Sequence, residues 1–259
     1  MLLTHFQLIE KQEKYELILK SGDCVVNSNF KSQKKLPTLD INKFLNLAFV
    51  DKNLAGPQML LEFAYLKFGK YSDFLYILDL AVLELFSQYL KLNLLDFLAI
   101  LLEKKPKKKI HTNLFPKILK TDFEVYLKPK IKLKPSLEFI KLTGGNNLEN
   151  DLQKLNSPEN NLFLVDLQVL NLGDLRTIEH FLPDRNNLVF NLHSASDFFK
   201  AGDFPSIYLV LDTLPGFWQA IKILQEFDKQ KEIYIICNSD KAEFAFLLAN
   251  YFSVNIQIK

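Results

Sequence analysis

Acidic residues recur at the ends of predicted strands in the second half of this 259-residue chain. The run FLVDLQ places Asp166 directly after an apolar stretch. Further aspartates lie near strand ends and in the loops that follow: Asp174, Asp184, Asp197, Asp203 and Asp212. Ligands of open α/β sheets bind at such strand ends, where carboxylates could gather calcium or magnesium. Solvated loop acids give the same pattern, so the metal ligands stay unassigned.

A second charged feature is the band from Lys104 to Lys141, in which twelve lysines and three acids give a net charge of +9, against +2 for the whole chain. Its stretch KPKIKLKP (128–135) places four lysines on one face of an extended segment, because successive strand residues point to opposite faces. This pattern predicts a face that binds the phosphates of DNA; a solvated face is the alternative interpretation. The predicted DNA-binding residues are Lys104, Lys105, Lys107, Lys108, Lys109, Lys128, Lys130, Lys132 and Lys134.

Several kinds of chemistry are not indicated by any motif. The phosphate-binding pattern GxxxxGK[ST] is absent, and the turn TGGNN (143–147) lacks its lysine and hydroxyl, so we expect no nucleotide cofactor. The four histidines fall in different elements and no serine or cysteine lies in a nucleophile-elbow pattern. Cys24 and Cys237 have no metal-ligand spacing, which favours reduced core thiols.

The elements that must position the charged residues divide the chain by pattern. Residues 1–56 begin with short strands around KQEK and SGD, and residues 57–103 have helical periodicity. A lysine- and proline-rich segment follows at 104–136, and residues 137–259 alternate apolar strands with helices. Such alternation predicts a mostly parallel sheet covered on both faces. We therefore expect an α/β head of residues 1–56 and 137–259, a helical leg at 57–103 and a connecting segment at 104–136.

The longest apolar tract, residues 75–102, is interrupted by charges at Asp79, Glu84, Lys91 and Asp96. These charges favour buried helices over a membrane span. The tract should therefore pack against the head or against another protomer. The N-terminus lacks the apolar region and cleavage site of a signal peptide, so we expect a cytoplasmic protein without a membrane partner.

The order of elements between residues 70 and 212 follows a known pattern. Helices in SDFLYILDLAVLELFSQYLKLNLLDFLAILL and the strand LEFIKL precede the run NNLFLVDLQVLNLGDLRTIEHFLPDRNNLVFNLHSASDFFKAGDFPSIYLVLD. That run holds two apolar strands of similar spacing and an aspartate- and phenylalanine-rich turn before a last strand. The arrangement resembles the small CRISPR-associated adaptation protein of type II-A systems, although residues 213–259 continue past the end of its short members.

The resemblance implies an α/β fold with a degenerate P-loop-like, mostly parallel sheet as the head and a helical leg insertion. It further implies a non-catalytic protein that binds double-stranded DNA ends without sequence preference during spacer acquisition. Members of that family form homotetrameric rings, bind calcium, and act with the CRISPR integrase and the effector nuclease. No residue of this chain matches a calcium ligand, so none is carried over.

Two other functions are compatible with the same pattern. A clamp-loader-like accessory subunit of a DNA polymerase is a P-loop-derived binding module that can lose its ATP site. A Rossmann-like transferase would instead use Asp166 or Asp212 at the strand ends. A tetramer favours the adaptation protein, a monomer favours the clamp-loader subunit, and stabilisation by nucleotides or S-adenosylmethionine favours the transferase.

Overall fold

The chain folds into two units that are not continuous in sequence. Unit 1 comprises Met1–Lys128 with Pro215–Gln219, and unit 2 comprises Pro129–Leu214 with Ala220–Lys259. The structure, a computed structural model, describes the following residues of the chain: 1–12, 14–105, 138–142, 149, 152, 161–166, 172–181, 188–191, 206–227, 232–238, 241–252 and 254–258.

Unit 1 begins with an antiparallel meander in the strand order β2-β3-β4. Its strands are β2 (His5–Lys11), β3 (Lys14–Ser21) and β4 (Cys24–Phe30), and a short pair, β1 (Leu2–Leu3) and β5 (Lys52–Asn53), lies beside it. Apolar residues alternate along these strands and align across them, as in Phe6, Leu19 and Val26. One face of the meander is therefore buried. Gly22, at φ +56, makes the turn into β4, as the SGD motif predicts.

The helices of unit 1 cover that buried face. They are α1 (Thr38–Phe49), α2 (Gln58–Phe68), α3 (Ser72–Tyr89) and α4 (Leu94–Leu101). The helix α3 is buried on all sides from Phe74 to Ser87 and packs on β3, β4, α2 and α4. The apolar tract thus forms buried helices, as predicted, and of the two expected partners, the head or another protomer, it is the chain's own strands β3 and β4 that cover it. No described helix has the length and apolarity of a membrane-spanning segment.

The edge strand β2 is held by two asparagines of α1. The side chain of Asn42 accepts a hydrogen bond from the Leu8 N–H at 2.7 Å and donates one to the Leu8 carbonyl at 2.8 Å. One turn later, Asn46 donates to the Phe6 carbonyl at 3.0 Å. These amides take the place of a neighbouring strand, so the backbone groups of the edge are paired.

Unit 2 contains a parallel sheet in which each strand neighbours the next one in sequence. Its described strands are β6 (Glu138–Leu142), β7 (Asn161–Asp166), β8 (Leu188–Asn191), β9 (Ser206–Val210), β10 (Glu232–Cys237) and β11 (Val254–Ile258). All five neighbouring pairs are parallel. The helices α5 (Leu172–Phe181), α6 (Phe217–Phe227) and α7 (Ala242–Ala249) connect successive strands, and α6 begins in unit 1.

This strand order corrects the predicted fold class. A P-loop-like or doubly wound sheet reverses its strand order at a switch point, whereas here the order runs from β11 to β6 without reversal. Sequential parallel strands joined by helices are the arrangement of a β/α barrel. The alternation of strands and helices predicted the parallel pairing correctly, but alternation alone does not determine which strands are neighbours. The degenerate P-loop-like head with a helical leg is therefore wrong.

The predicted division into a head, a leg at 57–103 and a connecting segment at 104–136 stays a prediction. Most of the connecting segment lies outside the described residues, as does the turn TGGNN. Cys24 is half-buried and Cys237 is buried, and no disulfide joins them.

Replacing Asn42 tests the clamp on the edge strand. We expect Asn42→Ala to lower the free energy of unfolding by about 1–3 kcal/mol, because it leaves the N–H and the carbonyl of Leu8 without partners. Urea unfolding followed by circular dichroism measures the change. The neighbouring exposed residue gives the control Lys43→Ala, which should change stability by less than about 0.5 kcal/mol. Equal stability of both variants would contradict the clamp.

Candidate active site

The two faces of the unit 2 sheet differ in polarity. One face carries apolar residues that are fully buried, among them Ile207, Leu209, Ile233 and Ile235. Residues of the other face align in a row across five strands, because partners in register share a face. The row runs in strand order through Asp166, Asn191, Tyr208, Tyr234 and Asn255. This polar row is the candidate functional surface of unit 2.

Lys141 lies on the same face as the polar row. It pairs with Leu164 on the neighbouring strand, and Leu164 precedes Asp166 by two residues. A separation of about 4.8 Å between strands and about 6.6 Å along the strand puts the Cα atoms of Lys141 and Asp166 about 8 Å apart. A lysine and an aspartate therefore occupy adjacent strands near one end of the sheet.

Three successive strands end in residues that carry side-chain oxygens. Asp166 is the last residue of β7, Asn191 is the last residue of β8, and Asp212 follows β9 by two residues. Asp212 Oδ2 accepts a hydrogen bond at 3.0 Å from the backbone N–H of Asn238, which directly follows β10. Asp212 is thus held at the carboxyl end of the sheet, where β/α barrels place their active sites.

Asp166, Asn191 and Asp212 carry side-chain oxygens, which are the ligands that hard metal ions such as Mg²⁺ or Ca²⁺ prefer. Two of these residues are carboxylates and one is an amide. No group of three His, Cys, Asp or Glu side chains that could hold a metal occurs within the described part of the chain. The donor chemistry fits a divalent cation bound through few carboxylates, as is usual for Mg²⁺.

Lys241 is a second lysine at this end of unit 2. It precedes α7, and its backbone N–H donates to the carbonyl of Asn238 at 3.0 Å. Its side chain is only 7% exposed, whereas most lysines lie in solvent. A buried lysine that lies just beyond the end of β10 is a candidate site residue.

A buried carboxyl in unit 1 is the other unusual titratable group. Asp79, on α3, is completely buried and its Oδ2 accepts two hydrogen bonds, from the Tyr65 hydroxyl at 2.5 Å and from the Trp218 N–H at 2.7 Å. Its second oxygen, Oδ1, has no hydrogen-bond partner among the described residues. The first turn of α6 is therefore capped by a side chain 139 residues away in sequence.

Burial is the main influence on this carboxyl. It raises the pKa of Asp79 from the usual 3.8 to about 7, although hydrogen bonds from Trp218, Tyr65 and Phe217 act in the opposite direction. Burial and the nearby Asp79 likewise raise the pKa of Tyr65 well above its usual value. A carboxyl without a cationic partner keeps its proton when it is removed from water.

The residues that the sequence interpretation singled out are only partly described by the structure. Lys104 is half-buried after α4, where its backbone N–H donates to the Ala99 carbonyl at 2.9 Å, and Lys105 is exposed. The other predicted DNA-binding lysines lie outside the described residues: Lys107, Lys108, Lys109, Lys128, Lys130, Lys132 and Lys134. Asp174 lies in α5, while Asp184, Asp197 and Asp203 are also outside the described residues.

Sequence reasoning missed Lys141, Asn191, Lys241 and the carboxyl of Asp79 as site residues. For Asp79 the available signal was a single charge within the apolar run LDLAVL. A charge in such a position must find a partner or lose its ionisation. The sequence interpretation relied on the local density of charged residues, so it singled out the lysine band and passed over these isolated residues.

No protein-family profile and no curated protein matches the sequence. Solved structures do match along its whole length. A muconate cycloisomerase from Azorhizobium caulinodans is 12% identical, with a TM-score of 0.52 over 99% of this chain and 85% of that one. The dipeptide epimerase from Enterococcus faecalis V583, complexed with Mg and L-Leu-L-Tyr, is 16% identical, with a TM-score of 0.50 over 100% of this chain and 90% of that one.

A third similar structure is the substrate-liganded L-Ala-D/L-Glu epimerase from Bacillus subtilis. It is 10% identical, with a TM-score of 0.50 over 98% of this chain and 89% of that one. The chain shares the fold of these three enzymes. At these identities the similarity establishes the fold and leaves the reaction to be argued from the residues.

The enolase-superfamily fold corrects the predicted identity and function. The resemblance to the CRISPR adaptation protein is wrong, because the whole chain matches enolase-superfamily structures. The predictions that depended on this resemblance are wrong as well, because the proteins that share the fold are enzymes acting on small molecules. These predictions are the non-catalytic function, the binding of DNA ends, the ring-shaped homotetramer, and the integrase and effector partners. The clamp-loader-like and Rossmann-like alternatives do not fit this fold either.

The raised pKa of Asp79 predicts how stability changes with pH. Folded Asp79 keeps its proton up to about pH 7, whereas the unfolded carboxyl loses it near its usual value of 3.8. The free energy of unfolding should therefore fall as the pH rises between these values, by up to roughly 1.4 kcal/mol per pH unit.

Urea unfolding of the wild type and of Asp79→Asn from pH 4 to pH 8 measures this contribution. The pKa of Glu84 and of Glu243 is also raised by burial, so the quantity to compare is the difference between the two proteins. That difference should grow in favour of Asp79→Asn with rising pH. A difference independent of pH would show that Asp79 is ionised throughout.

Proposed function

We propose that the chain is an enolase-type enzyme that removes and returns a proton on the carbon next to a carboxylate of a small acid, such as a dipeptide. The observation that carries this proposal is that Lys141, Asp166 and Asn191 lie on one face of the sheet, at or next to the carboxyl ends of β6, β7 and β8. Enolase-superfamily sites use a lysine or histidine base together with Mg²⁺. This chain places both kinds of group at one end of unit 2.

Lys141 is the proposed base. Its neutral amine would take the proton from the substrate carbon, and the neighbouring Asp166 would help to hold the substrate through a cation. Lys241 is the proposed group for the opposite side of the substrate. Its strand, β10, is four positions from β6 in the sheet, and strands four positions apart stand on opposite sides of an eight-stranded barrel.

Asp166, Asn191 and Asp212 are the proposed cation ligands. A divalent cation bound there would draw negative charge onto the substrate carboxylate and so make the neighbouring C–H more acidic. Mg²⁺ is the first cation to test, because one of the similar epimerases was solved with Mg. Ca²⁺ is the second, because the same oxygen donors accept it.

If the two lysines stand on opposite sides of the substrate, each should exchange the α-hydrogen of a different epimer. In D₂O with Mg²⁺, the wild type should introduce deuterium into both epimers of L-Leu-Tyr or L-Ala-Glu, as followed by NMR. Lys141→Met should slow exchange from one epimer by about 10²–10⁴-fold, the usual contribution of a general base, and Lys241→Met should slow exchange from the other. Each variant should still exchange the other epimer at a measurable rate, because the remaining amine acts on that side of the substrate.

The wild type with a wider set of small carboxylic acids is the control for substrate choice. If folded protein with Mg²⁺ exchanges no α-hydrogen in any of them, the proposed reaction is wrong. If both lysine variants slow the same epimer, the two lysines do not stand on opposite sides of the substrate.

The cation site is tested separately from catalysis. Calorimetric titration of Asp166→Asn and Asp212→Asn should show Mg²⁺ binding weakened by about tenfold or more, at least the loss caused by removing an outer-shell partner. The control is Glu226→Gln, an exposed carboxylate on α6 of the same unit, which should bind Mg²⁺ as the wild type does. Unchanged binding in both aspartate variants would remove these residues from the site.

A further inference from the structure

We propose that Asp79 and Tyr65 form a latch on the first turn of α6 and that this latch loosens as the pH rises. The latch consists of Asp79, Tyr65 and the segment 216–219, and all of its contacts lie within unit 1.

The contacts of the latch involve three parts of the chain. The Tyr65 hydroxyl from α2 and the Trp218 N–H from α6 both donate to Asp79 Oδ2 on α3, and the N–H of Phe217 adds a further donor. The N–H of Gln219 approaches the Tyr65 oxygen at 3.4 Å. Two side chains thus satisfy the N–H groups that a helix start leaves unpaired.

Gly216 permits this close approach. A Cβ atom at this position would overlap the Tyr65 hydroxyl oxygen and would lie 2.8 Å from Asp79 Oδ2. Any larger residue would push the segment away from the carboxyl. The start of α6 therefore fits Tyr65 and Asp79 only with glycine at 216.

The groups around Asp79 favour its neutral form. Tyr65 is the titratable group that faces it from α2, and Tyr76, one turn earlier on α3, acts on Tyr65. The segment 215–219 has no titratable side chain and presents backbone N–H groups. The buried Oδ1 has no hydrogen-bond partner among the described residues. This lack of a partner destabilises a charged carboxylate more than a neutral carboxylic acid.

The sign of the pH effect follows from proton linkage. Opening the latch would return Asp79 to water, where its pKa is near 3.8, whereas in the closed latch the pKa is about 7. The closed form therefore binds the proton more tightly than the open form does. Closing is favoured below about pH 4, and this advantage is lost as the pH rises through about 7.

The single tryptophan of the chain, Trp218, reports on the latch without any substrate. Its emission should change with a midpoint near pH 7 in the wild type, and Asp79→Asn should lose that transition. Tyr65→Phe should move the midpoint upward, because the hydroxyl that it removes lowers the pKa of Asp79. Glu84→Gln, a buried carboxyl on the same helix that accepts a hydrogen bond from Gln88, is the matched control and should keep the wild-type midpoint.

If the emission of Trp218 is flat across pH 5–8, or if Asp79→Asn keeps the wild-type transition, there is no proton-dependent latch. The measurement proceeds without substrate or cation, so failed catalysis would contradict the proposed function alone.

Discussion

The division of the unit 2 sheet into an apolar face and a polar face is the constraint on which the proposed site depends. Side chains alternate along a strand, so each strand can bury one set of residues against helices and keep the other set for the opposite face. Sequential parallel strands repeat this arrangement in register, which brings Asp166 and Asn191 side by side although 25 positions separate them in the sequence. A change of register by one residue would exchange the two faces and scatter the polar row.

Unit 1 is subject to a different constraint, because it contains a carboxyl within a helix that is buried on all sides. The hydrogen bonds from Tyr65 and Trp218 make the position of Asp79 specific, yet they do not outweigh the loss of water around it. The result is a group that is held in place and protonated near neutral pH. Apolar packing alone would stabilise α3 more simply, but it would leave the first N–H groups of α6 unpaired.

Local pattern predicted the elements better than their arrangement. The six strands of unit 2 and the helices around residues 58–101 follow from apolar periodicity. The strand order does not follow from it, because the order depends on contacts between segments far apart in the chain. The function was misjudged for a related reason: the lysine band is a continuous stretch of sequence, whereas Asp166 and Asn191 become neighbours only when their strands pair.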